Sequence, residues 1–331
     1  MNTLSTRLRG GLVAVAAALL STAAFAQSGT ITLYTSQPSD QMAEAIKAFN
    51  QQYPNVKVEV FRSGTTEVMN KLQAEFTAGA PQADVVLIAD AVAATQLKND
   101  GRLLAYKEAP VGKLPKALVD PDMTFFGTKL ITTGIVYNRN LVKTPPKSWN
   151  DLLAKNVASS LIMPSPLYSG AAAIHVGTVV QNKAFGWGYY EKLADGGAMA
   201  SKGNGNVIEA VAKGEKAYGI LIEYMAFNAK TKGSPVDFVF PAEGVSVISQ
   251  PVAILKTSKN LPAAKAFVDW QLSEAAQRQS VGQGYFPVFA GVAPPAGYPQ
   301  VDGLKFLNAD NGTLLKDDEA NKKKFADIFG G

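Results

Sequence analysis

ITLYTSQPSDQMAEAIKAFNQQYPNVKVEVF, residues 31–61, reads as strand, helix, strand. Ile31 to Tyr34 and Val56 to Phe61 are short β-rich runs. Between them Met42, Ala45, Ile46, Phe49 and Tyr53 recur at helical spacing after a start at Ser39 and Asp40. The pattern then repeats: Val68, Met69, Leu72 and Phe76 share a helix face after Thr65, and Asp84 to Ala89 is an almost purely apolar strand. Apolar strands alternating with helices predict a parallel sheet covered on both faces.

Further along, Thr128 to Asn138 reads as one long strand, closed by a turn at Pro145-Pro146-Lys147-Ser148-Trp149. A second α/β series follows: strand Ser160 to Met163, helices Gly170 to Asn182, Phe185 to Leu193 and Val207 to Lys213, strand Ala217 to Ile222. Beyond Phe238 to Phe240, Ser246 to Leu255 is again a long strand, and the helix predicted over Ala263 to Gln279 carries Ala266, Phe267 and Trp270 inward. Two long strands bracketing an internal α/β unit imply that the chain leaves one lobe, builds another and returns. The expected fold is α/β and two-lobed, each lobe a mostly parallel sheet flanked by helices, with two crossing strands between them. The expected divisions are 27–130 for the first lobe, 131–248 for the second, 249–295 for the return, and 296–331 as a C-terminal segment assigned to neither. A hinge of this kind closes over a ligand in the cleft that the carboxyl ends of both sheets face.

Composition narrows the function classes. With 331 residues, 47% hydrophobic and 18% charged, and only 29 Gly and 18 Pro, the chain is neither collagen-like nor disordered. The lack of Cys removes disulfide scaffolds, thiol nucleophiles and thiolate metal sites, and a single His removes any two-His arrangement. That residue, His175, sits in an Ala/Val/Ile-rich helix and is read as structural. Gly203-Asn204-Gly205 and Gly282-Gln283-Gly284 are fragments of a dinucleotide fingerprint, and nucleophile-elbow, P-loop and zinc-protease patterns are missing. No cofactor is expected.

The amino terminus carries Arg7 and Arg9, a short apolar run from Gly11 to Leu20, and Ala24-Phe25-Ala26 as a cleavage signal. Residues 1–26 are therefore read as a secretory signal peptide, too short in its apolar part for a membrane span. Its removal takes two of the +5 formal charges away. The remaining positive charge is scattered, so the pI of about 9.1 reads as surface bias and no nucleic-acid partner is expected. The exported chain is expected to be a soluble, periplasmic monomer.

Small polar residues recur where a helix begins: Thr35-Ser36-Gln37, Ser63-Gly64-Thr65-Thr66, Tyr168-Ser169-Gly170-Ala171 and Gly203-Asn204-Gly205-Asn206. Each supplies free backbone N–H groups, a positive helix end and a hydroxyl or amide. Any one of them alone is read as an ordinary N-cap; four around one cleft bring an anion cradle level with that reading.

On these pieces the chain resembles the solute-binding component of an ABC importer, in the periplasmic iron(III)-type and phosphonate-type group with the type II clamshell. The likeness runs through nearly the whole mature chain. It rests on Ile31-Thr32-Leu33-Tyr34-Thr35-Ser36, Ser63-Gly64-Thr65, Ala83-Asp84-Val85-Val86, Gly134-Ile135-Val136-Tyr137-Asn138, Pro146-Lys147-Ser148-Trp149-Asn150-Asp151-Leu152-Leu153, Tyr168-Ser169-Gly170-Ala171 and Gly214-Glu215. It implies a non-enzymatic protein that hands a small anionic solute to a membrane permease and its ATPase.

Ferric members of this group use two adjacent tyrosines, a carboxylate and often a histidine, anionic oxygens suited to a hard cation. Here the tandem-tyrosine position reads Tyr224-Met225, the histidine position falls at about Pro38, and the carboxylate position at Ala89, beside Asp90. Tyr189-Tyr190 is read as core. The group's companion-anion cradle corresponds to Ser169, Gly170, Ala171 and Asn204, so the anion is read as the ligand's own head group: a phosphonate such as 2-aminoethylphosphonate, or a phosphate ester. The expected ligand-binding set is Ser36, Gln37, Ser63, Gly64, Thr65, Thr66, Asp90, Ser169, Gly170, Ala171, Asn204 and Tyr224. Asp90, Glu223 or Glu243 would pair with an ammonium group. The alternatives are a ferric iron-binding protein using Tyr224 and Asp90 with an exogenous anion, and a secreted enzyme of unknown type.

Overall fold

Residues 27–330 are described by the structure, a computed structural model; the leader expected over residues 1–26 lies outside them. The chain opens with β1 (Gly29–Thr35), α1 (Ser39–Gln52), β2 (Val56–Arg62), α2 (Thr65–Thr77), β3 (Val85–Leu87) and α3 (Ala91–Asn99). β1 lies parallel between β2 and β3. Alternation along the strands sends Ile31, Leu33, Val85 and Leu87 to one face, where Met42 and Phe49 of α1 pack with Phe267 and Trp270 of the returning chain. Tyr34, Val86 and Ile88 go to the other, under Val68 and Leu72 of α2. Each of these large apolar side chains contributes about 1.5–3 kcal/mol by leaving water.

β4 (Phe125–Asn138) then runs out of this lobe into the next. It starts three residues before the expected Thr128, with Phe125 to Gly127 already laddered onto Ala253 to Pro251, and its register then shifts between Gly127 and Leu130 in a bulge. The second lobe adds α4 (Lys155–Ala158), β5 (Leu161–Pro164), α5 (Gly170–Gln181), α6 (Trp187–Asp195), β6 (Met199–Ser201), α7 (Asn204–Lys213), β7 (Tyr218–Ile222), α8 (Glu223–Thr231) and β8 (Val236–Val239). Gly214 stops α7 in the left-handed region, with φ of 79° that only glycine adopts freely. Tyr189 and Tyr190 are buried in the core of this lobe.

β9 (Ser246–Ile254) returns antiparallel to β4, with Thr133 opposite Ser246 and Phe125 opposite Ala253. The strand order β2-β1-β3-β9-β4-β7-β5-β6, with β8 also on β4, is a single sheet running through both lobes. Its outer trios are parallel, and its middle, made by the two crossing strands, is antiparallel. The helix predicted over Ala263–Gln279 is two helices, α9 (Leu261–Gln271) and α10 (Glu274–Gly282). Apolar periodicity continues across the break, but the Ser273 hydroxyl accepts the Ala276 N–H at 3.2 Å and starts a new helix there. Last comes α11 (Asn311–Phe329), capped by Asp310. Its Leu314 packs with Val92 of α3 and Ile174 of α5, and Phe325 is buried beside Tyr190, so this helix touches elements of both lobes.

Candidate functional site

The lobes meet over a cleft of about 330 Å³, in the range of small-molecule sites. Its lining comes from the starts of four helices: Ser36 to Ser39 before and at α1, Gly64 and Thr65 of α2, Ser169 to Ala171 of α5, and Gly203 to Asn206 of α7. In each, helix geometry leaves the first-turn N–H groups without intrahelical acceptors, and the partial positive charges of the helix ends add.

Ser169 caps α5. Its oxygen accepts from the Ala172 N–H at 3.3 Å and from Asn204 Nδ2 at 3.0 Å, which leaves its own O–H free to donate. The Thr65 hydroxyl is buried without a hydrogen-bond partner among the described residues, in a side chain that lines the cleft. Ser36 Oγ accepts the Ala89 N–H at 2.9 Å and likewise keeps its proton to give. Tyr224 also lines the cleft, its ring 4.4 Å from that of Tyr285. Burial holds its phenol well above the ordinary value, so it is a neutral O–H donor.

Several expected residues stand elsewhere. Gln37 reaches the cleft wall, but its amide is held by Gln283 and Lys129 at 3.1 and 2.8 Å, and its backbone N–H goes to Thr35 Oγ1. Ser63 gives its hydroxyl proton to Glu67 and is not part of the lining. Thr66 donates from N–H and hydroxyl to the carbonyls of Tyr168 and Pro166, a contact from lobe to lobe. Asp90 caps α3, accepting from Val92 and Ala93 N–H at 2.8 and 3.1 Å, and faces α11 across a separate pocket. Burial, with Asp318 nearby, pushes its carboxyl up to about 7. The pairing of Tyr224 with Asp90 on a metal is therefore not made: only Tyr224 reaches the cleft. No group of three or more His, Cys, Asp or Glu side chains placed to hold a metal ion is found among the described residues.

The two remaining carboxylates are also committed to structure. Glu223 Oε2 accepts from the Thr132 N–H at 2.6 Å and from its hydroxyl at 3.1 Å, and Glu243 accepts the Trp149 N–H at 3.1 Å. Among the described residues no carboxylate lines the cleft, so neither Asp90, Glu223 nor Glu243 stands there to pair with an ammonium group. Burial raises Glu223 to about 8, against an ordinary 4.5. An acid whose value is raised on folding adds stability in full below 4.5 and loses it as the pH climbs through 8. Glu223→Gln should remove that decline, gaining on the order of 2–4 kcal/mol over the wild type between pH 5 and 8.5 in paired urea titrations.

The sequence reading missed one charged residue of the cleft. Arg62, the last of β2, is the single charged side chain in the lining among the described residues. Its guanidinium is held by the Gln37 and Ser36 carbonyls at 3.3 and 3.4 Å and reaches across to the Tyr168 hydroxyl at 3.2 Å. Its place at the carboxyl end of a parallel strand was the available signal. Tyr168 and Gln250 also line the cleft unforeseen.

Residues 35–278, more than half of the chain, match the family model of bacterial extracellular solute-binding proteins. The chain belongs to this family. The solute-binding protein is 26% identical over 271 residues to a probable ABC transporter periplasmic-binding protein, y4fP of Sinorhizobium fredii, covering 77% of this chain and 73% of that one. Its fold is similar to that of the periplasmic binding protein AfuA from Actinobacillus pleuropneumoniae with exogenous fructose-6-phosphate bound, at a TM-score of 0.82 and 24% identity over 91% of this chain and 99% of that one. Iron-bound HitA from Pseudomonas aeruginosa aligns at 0.78 and 20% identity, over 89% and 99%. The resemblance read in the sequence holds at the level of family and fold: this is a solute-binding protein of the kind that serves ABC importers, with the two-lobed type II fold, from a family of binding proteins and not of enzymes. No helix among the described residues is long and apolar enough to cross a membrane.

Proposed function

We propose that the cleft captures a small solute by a phosphate or phosphonate group, and that the remainder of this solute is polar and carries no cation, as in the phosphate ester of a sugar or polyol. The observation that carries this reading is the convergence of four helix starts and one arginine on a cleft that, among the described residues, no carboxylate lines. Backbone N–H groups of α2, α5 and α7, the hydroxyls of Thr65 and Ser169 and the Arg62 guanidinium donate to the anionic oxygens. Ser36, Tyr224, Gln250 and Asn206 are left to meet hydroxyl groups. The sugar phosphate bound to AfuA is a ligand of this chemistry. An ammonium-bearing phosphonate would lose the water around its cation without gaining an anion in return.

The hinge in this reading lies where β4 and β9 cross between lobes, with Ile131 and Ile248 opposite each other in the ladder. Closure buries the ligand and offers one shape to a permease and its ATPase. Thermal-shift and calorimetric titrations of the exported chain with fructose 6-phosphate, glycerol 3-phosphate, 2-aminoethylphosphonate and ferric citrate test the proposal. A phosphate ester at about 100 times its dissociation constant should stabilise the protein by about 2.7 kcal/mol, with 2-aminoethylphosphonate bound at least tenfold more weakly. A shift with ferric iron alone, abolished by Tyr224→Phe, would overturn it.

A further inference from the structure

Beneath the cradle, four polar atoms are buried without a hydrogen-bond partner among the described residues: Thr133 Oγ1, His175 Nε2, Tyr190 Oη and Asn204 Oδ1. They come from β4, α5, α6 and α7, far apart in sequence, yet all four residues line one small cavity in the second lobe. The other walls are apolar, among them Met163, Val176 and Ile220. About 10 Å³ is open there to the centre of a water molecule, close to the least that one water needs. Left unpaired, each of these groups would give up the hydrogen bonds it makes to water in the unfolded chain and gain none in return.

We propose that one water molecule is held in this cavity by Thr133, His175, Tyr190 and Asn204, and that it fixes the Asn204 carboxamide for the ligand's anionic group. The hydrogen bonds close without remainder. His175 Nδ1 stands 3.0 Å from Ser246 Oγ, a hydroxyl able to accept its proton, and this arrangement leaves Nε2 as the acceptor that the water requires. The water donates to His175 Nε2 and to Asn204 Oδ1, and accepts from the hydroxyls of Thr133 and Tyr190: two donated, two accepted. Asn204 is then locked with Nδ2 toward Ser169 Oγ at 3.0 Å, which turns the one free Ser169 proton into the cleft. Burial keeps His175 neutral, with its pKa brought down to about 3, and its ring lies 4.9 Å from that of Trp149. Tyr190 and Thr133 are thus positioning residues for a ligand they do not touch.

The second half of this inference rests on the proposed anion cradle, and the first half does not. Because His175 is the sole histidine, its nitrogens are assigned in ¹⁵N spectra without ambiguity. The expected result is the Nδ1–H tautomer, with a long-lived water cross-peak to the His175 ring proton between its nitrogens. An Nε2–H tautomer, or no such cross-peak, overturns the water site whatever the ligand is. For the positioning role, Tyr190→Phe and the near-isosteric Thr133→Val are each titrated with fructose 6-phosphate, alone and combined with Asn204→Ala. Each single change should weaken binding three- to tenfold and add little to Asn204→Ala, since the three act as one unit. Additive losses, or none, overturn the positioning role. If the wild type takes up no phosphate ester, the cradle and the positioning role fall together while the NMR result still decides the water.

Discussion

Arg62→Ala should weaken phosphate-ester binding about thirtyfold, roughly 2 kcal/mol, while leaving the unliganded protein's melting temperature within a degree or two of the wild type. The guanidinium is exposed and makes its three hydrogen bonds to two carbonyls and one hydroxyl, so the folded chain loses little without it. A bound dianion loses its one formal positive charge. Arg62→Lys should recover part of the affinity, because the charge returns but the planar fork does not. Calorimetry on the three proteins reads this directly; equal affinities for the wild type and Arg62→Ala would remove the arginine from the site.

Gly64→Ala should be as damaging by a different route. A Cβ on Gly64 would stand 2.3 Å from the Tyr168 carbonyl oxygen and 2.8 Å from its ring, and one on Gly170 would stand 2.8 Å from Thr65 Oγ1 and 2.9 Å from the Ala89 carbonyl. In both cases the obstruction belongs to the opposite lobe. Gly64 has φ of −63° and ψ of 155°, which alanine adopts without strain, so neither lobe is disturbed internally. What the methyl blocks is the approach of α2 to the Ser165–Ser169 loop, where Thr66 N–H meets Tyr168. Overpacking of this order costs about 1–3 kcal/mol, so ligand affinity should fall roughly 5- to 150-fold. Small-angle scattering should show less compaction on adding a phosphate ester than in the wild type. Wild-type compaction with wild-type affinity would mean that the lobes do not need this contact.

How much of this was readable follows from what each residue depends on. β1, α1, β2 and α2 were legible because Leu33, Met42, Phe49 and Leu72 repeat at the periods of their elements and go into the core on that account. α3, α8 and α11 were not foreseen. Their buried residues are few, and much of what holds α11 is Tyr190 and Val92, which only the folded chain brings near. The break at Ser273 was hidden by apolar residues on both sides of it. At the site, the helix starts could be read from small polar residues, since capping is local. The fate of the carboxylates could not: Glu223 is tied to Thr132, 91 residues away, and Asp90 becomes a cap only once α3 is known to begin at Ala91. Arg62 was overlooked beside Ser63 and Gly64, although it is the residue of that turn with a charge to offer.

The C-terminal helix has a consequence for time as well as for shape. α11 rests on α5 and α6 along much of its length and on α3 through Leu314 and its neighbours, so any rotation of one lobe against the other must slide or part an apolar contact outside the cleft. Uncovering a side chain such as Leu314 costs about 1.5–3 kcal/mol. If the parted state is the one from which solute escapes, that cost slows escape by roughly ten- to more than a hundredfold without touching the solute. Dwell time on the protein is then set partly by the last nineteen-residue helix, and a permease that grips α11 would shorten it.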